Sequence, residues 1–293
     1  MENSLTFPVD PWVSELVRRS LAEDIGPGDA TTAVAVDPSS RARALVVPRR
    51  AGVCAGLPLL TLVYGGLSDE VHCELLARDG QSVEAGQPLA EVAGPAAAIL
   101  TGERTALNFL QHLGGIATRT AQLVDAVSGT DCRILDTRKT LPGYRRLAKY
   151  AVRCGGGDNH RMGLFDRIML KDNHWAARRE PLADIVARAR REFPALAIEV
   201  EVDDLDQLTA ALSLGVEWIL LDNFSVEMTR EAVACRGRAG VASRLESSGN
   251  MGLETVAAYA QAGVDAISVG SLTHSVTAWD VGLDFAPESG DAP

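Results

Sequence analysis

A basic island interrupts an acidic chain. Between residues 133 and 174 lie ten Arg and Lys side chains, against Asp136, Asp158, Asp166 and Asp172, while the whole protein carries a formal net charge of −11. Four of these cations, Arg138, Lys139, Arg161 and Lys171, fall at expected strand ends or after a Gly-rich run. Like charges gathered at roughly 6 Å repel by about 3 kcal/mol per pair at an effective dielectric of ~20. A fold that holds them together needs a strongly anionic group between them. The expected chemistry is therefore the binding of a small polyanion.

The neighbouring residue types sharpen that expectation. Arg161 follows Gly155-Gly156-Gly157 and offers a planar fork suited to a carboxylate. His160 could donate to the same ligand, or serve structure alone. Glu201 and Asp222 end consecutive expected strands, where carboxylates hold sugar hydroxyls or a magnesium ion bridging to phosphates. Glu199 shares a strand face with Glu201, and Glu201 is preferred because it is nearer the carboxyl end. Ser248, Gly249 and Asn250, then Val269, Gly270 and Ser271, combine small and hydroxyl residues after the last two strands. Opening onto a helix N-terminus, such turns would cradle a phosphate. Arg145, Arg146, Lys149 and Arg153 lie on one expected helix and read as a solvated face.

The elements that must position these residues are legible in the pattern. At 293 residues and 46% hydrophobic content, the chain is long enough for one large domain or two medium ones. An amphipathic helix is expected over 10–24, a strand, a turn and a short strand over 42–55, and sheet architecture over 79–94. A helix over 96–112 is expected to end at Gly114-Gly115, as a hinge, with another helix near 117–127. From residue 132 the pattern alternates, with strands at 133–137, 167–171, 197–202, 218–223, 242–247 and 266–270. Helices fall between most of them, near 142–153, 181–192, 204–213, 225–235 and 251–262. That rhythm predicts a parallel sheet with helical crossovers, in a closed barrel or an open doubly wound sheet. No G-x-G-x-x-G follows a strand, which weakens the dinucleotide-binding version. Polar residues at six successive strand ends favour the barrel, whose carboxyl-end rim carries sites.

Composition excludes other classes. The acidic balance argues against nucleic acid. No apolar run approaches the ~20 residues needed to span a bilayer, and no secretory signal is seen. Five cysteines without a C-x-x-C suggest buried thiols in a reducing, cytoplasmic setting.

Several runs together resemble a known family. They are Asp136-Thr137-Arg138-Lys139-Thr140, Gly155-Gly156-Gly157 with Asn159-His160-Arg161, Lys171-Asp172-Asn173-His174, Glu199-Val200-Glu201-Val202, Leu220-Leu221-Asp222-Asn223-Phe224 and Glu246-Ser247-Ser248-Gly249. In this order they resemble the quinolinate phosphoribosyltransferases, from about residue 10 to 285. The resemblance implies an α/β fold: an incomplete seven-stranded α/β barrel over 116–272, with an N-terminal α+β sandwich domain over 1–115 to which a tail, 273–293, returns. It implies a cytoplasmic homodimer with a shared active site, in some members a hexamer. The implied reaction joins quinolinate to 5-phosphoribosyl 1-pyrophosphate with magnesium, giving nicotinate mononucleotide, pyrophosphate and carbon dioxide for de novo NAD synthesis.

By the same resemblance Arg138, Arg161 and Lys171 hold the quinolinate carboxylates, assisted by Thr137 and His160. Lys139 lies between quinolinate and pyrophosphate. Glu201 and Asp222 meet the ribose or the metal, directly or through water. Ser248, Gly249, Asn250, Val269, Gly270 and Ser271 hold the 5-phosphate, with His274 nearby, and Arg104 reaches across the dimer. Lys139, Glu201 and Asp222 are the expected catalytic residues. Two other functions remain open to the bare residues. An aldolase-type barrel would use Lys139 or Lys171 as a Schiff-base nucleophile, and a non-catalytic anion binder would need no opposing carboxylates.

Overall fold

The computed structural model of the chain describes residues 5–177 and 180–287. In chain order the elements are α1 (Pro11–Ile25), α2 (Ala30–Ala35), β1 (Arg41–Pro48), β2 (Gly52–Val53), α3 (Pro58–Gly65), β3 (His72–Leu75), β4 (Ser82–Val83), β5 (Ala90–Pro95), α4 (Ala96–Ala126), β6 (Arg133–Leu135), α5 (Arg145–Cys154) and β7 (Ile168–Leu170). There follow α6 (Asp172–Ala177), α7 (Leu182–Glu192), β8 (Ile198–Val202), α8 (Leu205–Ser213), β9 (Trp218–Asp222), α9 (Val226–Ala239), β10 (Arg244–Ser248), α10 (Val256–Ala262), β11 (Ala266–Ser268), α11 (Ser271–His274) and β12 (Val281–Pro287). They fall into two compact units. One comprises Met1–Ala121, Leu141–Gly156 and Val276–Pro293, the other Gln122–Thr140 and Gly157–Ser275.

The first unit is α+β. Asp10 caps α1 by accepting from the N–H groups of Trp12 and Val13 at 2.9 and 3.0 Å, and Pro11 sits where its missing donor costs nothing. Val13, Val17 and Leu21 recur at helical spacing and are the buried face. The sheet has the order β12-β1-β5-β3, antiparallel where β1 meets β12 and β5. The final strand β12 thus closes one edge beside β1, with Ala44 opposite Phe285.

Here the structure departs from the expected hinge. α4 runs unbroken for 31 residues through Gly114 and Gly115. These glycines permit close approach rather than stopping the helix. A side chain on Gly114 would overlap the Trp279 ring, and one on Gly115 would overlap the Thr277 carbonyl.

The segment 141–156, expected among the barrel helices, belongs to this first unit. Tyr144 stacks on Phe109 with ring centroids 6.2 Å apart, and Tyr150 donates to Asp79 at 2.7 Å. Its cations are not one solvated face, because Lys149 is buried at 1% exposure and Arg146 pairs with Asp10.

The second unit is an incomplete α/β barrel. Six parallel strands run in the order β6-β11-β10-β9-β8-β7, and Asp158 adds an isolated parallel bridge beside Leu135 of β6. The bridge is the seventh position, so the ring is open between residue 158 and β7. β8 is buried along its full length, the signature of a strand covered on both faces. Val200, Ile219, Leu221, Leu245 and Ile267 are wholly buried on the strands. Side chains in strands alternate faces, and Glu201 pairs with Leu220, Leu220 with Glu246, and Asp222 with Ser248. Glu199, Glu201, Asp222, Glu246 and Ser248 therefore share the face opposite Val200, Ile219, Leu221 and Leu245. Glu199 on β8 and Glu246 on β10 both reach His160, although β9 separates their strands. Only side chains pointing into the barrel can do that.

Candidate active site

Arg138 and Lys139 follow the end of β6, and Lys171 follows the end of β7. β6 ends at Leu135, and the next residues carry Asp136, Thr137, Arg138 and Lys139. Asp136 is fully buried and anchors the adjoining loop. Its carboxylate accepts the backbone N–H of His160 at 2.9 Å and the side-chain amide of Asn159 at 2.6 Å. This brings Arg161 beside Arg138. Burial, and then the charge of Arg138, hold the Arg161 guanidinium below its ordinary value. Arg161 is only 7% exposed, and its Nη1 donates to the carbonyl of Arg167 at 3.2 Å. Thr137 Oγ1 accepts the Lys139 N–H at 3.0 Å.

Lys139 also joins the last strand end. Its carbonyl accepts from Thr273 Oγ1 at 2.8 Å. An ideal Cβ on Gly270 would lie 3.1 Å from Lys139 Cδ and 3.3 Å from His274 Nε2, so these three residues converge. Val269 is wholly buried and its N–H donates to the Leu135 carbonyl at 2.9 Å, so the expected place for it among the phosphate ligands is not supported. α11 is a single turn of four residues, and seven residues separate Ser248's strand end from Val256, where α10 begins, counting Gly249 and Asn250. The expected opening of Ser248-Gly249-Asn250 onto a helix N-terminus is therefore not found. Backbone N–H groups and hydroxyls, rather than a helix dipole, are what this rim offers an anion.

Opposite lie the carboxylates. Glu201 is 8% exposed and forms an ion pair with Lys171, one residue beyond β7. Asp222 ends the neighbouring strand and accepts from Asn223 Nδ2 at 2.8 Å. Asn223 holds a left-handed φ of 54° and Asn250 one of 48°, a conformation that asparagine tolerates better than most residues other than glycine. Arg104 belongs to the first unit, where it lines a cavity of about 290 Å³ with Asp24, Asp29 and Thr101.

Below the rim sits a buried group that the sequence reading did not assemble, although it named His160 and Glu199 singly. His160 Nε2 lies 3.0 Å from Glu199 and 3.4 Å from Glu246, and Arg167 Nη1 donates to Glu199 at 3.1 Å. Burial pulls the His160 pKa down, but Glu199 and Glu246 outweigh it and raise it to about 9. The Arg161 N–H, 2.7 Å from Nδ1, favours the neutral ring. Two carboxylates outweigh one amide, so the net direction is upward. Glu199 is kept ionised: burial opposes this, but His160 and Arg167 lower its pKa overall. Burial and the charge of Glu199 push Glu246 the other way. The available signal was a glutamate on a strand whose neighbours are all buried.

A parallel β/α barrel that carries Arg138, Lys139 and Lys171 just past its strand ends, with Glu201, Asp222 and small-residue turns on the same rim, has the build of an enzyme for anionic substrates. Comparison with known proteins agrees. The quinolinate phosphoribosyl transferase N-terminal and C-terminal domain families match residues 29–114 and 116–284. A nicotinate-nucleotide pyrophosphorylase (carboxylating) of Mycobacterium leprae (strain TN) is 47% identical over 92% of this chain and 96% of that protein. The solved nicotinate-nucleotide pyrophosphorylase of Francisella tularensis is 40% identical, with a TM-score of 0.89 over 96% of this chain and 99% of that one. NadC of Streptococcus pyogenes is 36% identical, with a TM-score of 0.90 over 97% of this chain and 100% of its own. The chain belongs to the quinolinate phosphoribosyltransferase family, whose members are glycosyltransferase-class enzymes of pyridine nucleotide synthesis.

Proposed function

We propose that this chain transfers the phosphoribosyl group of 5-phosphoribosyl 1-pyrophosphate to quinolinate with decarboxylation, giving nicotinate mononucleotide, pyrophosphate and carbon dioxide. The observation that carries the reading is the buried Arg161 beside Arg138, two like charges whose proximity is stabilised by a dianionic ring. Arg138, Arg161 and Lys171 bind the two carboxylates, with Thr137 and His160 assisting. Ser248, Gly249, Asn250, Gly270 and Ser271 bind the 5-phosphate beside His274, with Val269 packed beneath them.

The pyridine nitrogen attacks the anomeric carbon while the bond to pyrophosphate breaks. Positive charge grows on the sugar, and Glu201 and Asp222 stabilise it electrostatically. Lys139 neutralises the departing pyrophosphate. Once the ring nitrogen is quaternary, its positive charge stabilises the electron pair left on C2 as the 2-carboxylate departs as carbon dioxide, and a proton from water then takes that position. Two carboxylates at neighbouring strand ends are the hard oxygen donors that magnesium prefers, so Glu201 and Asp222 fit that ion, directly or through ribose or water. When bound it supplies further neutralisation of the pyrophosphate.

The reading extends to a cytoplasmic homodimer in which Arg104 of a second copy completes the site. Five free cysteines support a reducing compartment. Among the described residues no helix is long and apolar enough to cross a membrane. The test is direct: the protein is mixed with quinolinate, 5-phosphoribosyl 1-pyrophosphate and magnesium, and carbon dioxide release is followed. Absence of turnover would overturn the proposal. Nicotinate in place of quinolinate should react poorly, because a missing carboxylate leaves a buried cation unpaired.

A further inference from the structure

Glu199, Glu246 and Arg167, around His160 beneath the rim, have no role in the reaction as derived, yet the two glutamates are costly to bury. Glu199 and Glu246 are both 0% exposed. Both oxygens of Glu246 lack a hydrogen-bond partner, and its nearest polar neighbour in the cluster is His160 Nε2, 3.4 Å from Oε2. His160 and Ser268 are the groups that favour the Glu246 charge, and burial outweighs them, so the fold bears a penalty at this position.

The cluster's geometry suggests what the penalty serves. His160, Glu199 and Glu246 offer ligand atoms within 4.8 Å of one another, a spacing that could hold a metal ion. Arg167 argues against that occupant. Its Nη1 stands 3.4 Å from His160 Nε2 and 3.1 Å from Glu199, and so already brings a positive charge to the same point. Its guanidinium is further held 5.1 Å over the ring of Trp218. From this core two connections rise to Arg161. Arg167 presents its carbonyl to Arg161 Nη1 at 3.2 Å. His160 precedes Arg161 directly, and its own N–H is fixed on Asp136.

We propose that Glu246 and Glu199 are positioning residues that act through His160 and Arg167 to fix the Arg161 guanidinium for one carboxylate of quinolinate. The inference rests on the reading that Arg161 binds that carboxylate. The two glutamates touch no substrate. Glu199 holds Arg167 and His160, and Glu246 backs the far side of the His160 ring, so that neither arm of the support can turn away from Arg161.

The experiment compares Glu246→Leu and Glu246→Gln with wild type and with Arg161→Ala, measuring KM for each substrate separately. Glu246→Leu should raise KM for quinolinate by about tenfold or more while KM for 5-phosphoribosyl 1-pyrophosphate stays within about twofold. Glu246→Gln keeps an acceptor oxygen and should restore most of the quinolinate affinity. An unchanged quinolinate KM in Glu246→Leu, or equal rises in both constants, would overturn the inference. If Glu246→Leu does not fold, Glu199→Gln, which removes the charge paired with both Arg167 and His160, must show the same quinolinate-specific rise, and its absence overturns the inference equally. Stoichiometric zinc or manganese in the purified wild type, lost in Glu246→Gln, would also overturn it in favour of a metal site. Should Arg161→Ala leave the quinolinate KM unaltered, the assignment of Arg161 fails; should only the glutamate variants do so, the positioning role alone fails.

Discussion

Gly249 presses against the side chain of Asn223: an ideal Cβ at Gly249 would lie 2.8 Å from Asn223 Cγ, and Gly249 itself has a φ of +105°. Asn223 in turn donates to Asp222 through its amide and to the Ser248 carbonyl through its backbone N–H at 2.9 Å. One residue thereby ties the carboxylate of β9 to the turn after β10. Replacing Gly249 by Ala adds both a left-handed strain of about 1–2 kcal/mol and a collision. Gly249→Ala should lower Tm by several degrees and weaken 5-phosphoribosyl 1-pyrophosphate more than quinolinate, as thermal denaturation and separate titrations will show.

Asn223 itself separates strain from contact. Asn223→Gly keeps the backbone conformation and loses the bond to Asp222, whereas Asn223→Ala loses both. We expect kcat to fall in both variants, with the Ala variant also less stable. Equal kcat in Asn223→Gly and wild type would show that Asp222 needs no such support.

Arg161→Ala should raise the quinolinate KM further than Glu246→Leu does, leaving little turnover at ordinary quinolinate concentrations. Glu201→Ala should instead reduce kcat by about 10²–10³-fold, the usual loss when a preorganised transition-state charge is removed. Because Glu201 pairs with Lys171 in this structure, the second variant also frees that lysine. A modest fall in quinolinate KM accompanying the lost kcat would be its trace. Steady-state kinetics on both substrates separates these outcomes.

His160 gives stability a defined pH dependence. Its folded pKa of about 9 exceeds the ordinary unfolded value of ~6.5. A raised pKa means that the stabilisation is complete below the unfolded value and is lost as pH climbs through the folded one. The groups facing it are Glu199 and Glu246, with Arg167 on the same Nε2. Urea midpoints should therefore decline between pH 6.5 and 9, and the decline should be shallower in His160→Gln.

The thiols should be inert. Burial pushes Cys54, Cys132 and Cys154 up to about 12 and Cys73 up to about 11. Native protein treated with iodoacetamide at a pH of about 8 should leave these four unmodified by mass spectrometry, and urea should expose all of them. Cys73 and Cys235 are half-buried, so the expectation of uniformly buried thiols holds only for the other three.

The amino-acid order by itself determined the alternating strands and helices after residue 132, because a two-residue alternation and an apolar run of strand length are local properties. It also determined which residue types end each strand, and hence that Arg138, Lys139, Lys171, Glu201, Asp222 and Ser248 share one rim. Only the tertiary structure decided that Gly114 and Gly115 sit inside one long helix, since a glycine reads as a stop until the Trp279 ring that needs the space is known. It alone decided that Lys149 is buried and that 141–156 packs with the first unit. It alone brought Glu199, Glu246, His160 and Arg167 together, because that meeting depends on strand register across a barrel interior and leaves no mark in the spacing of the residues along the chain.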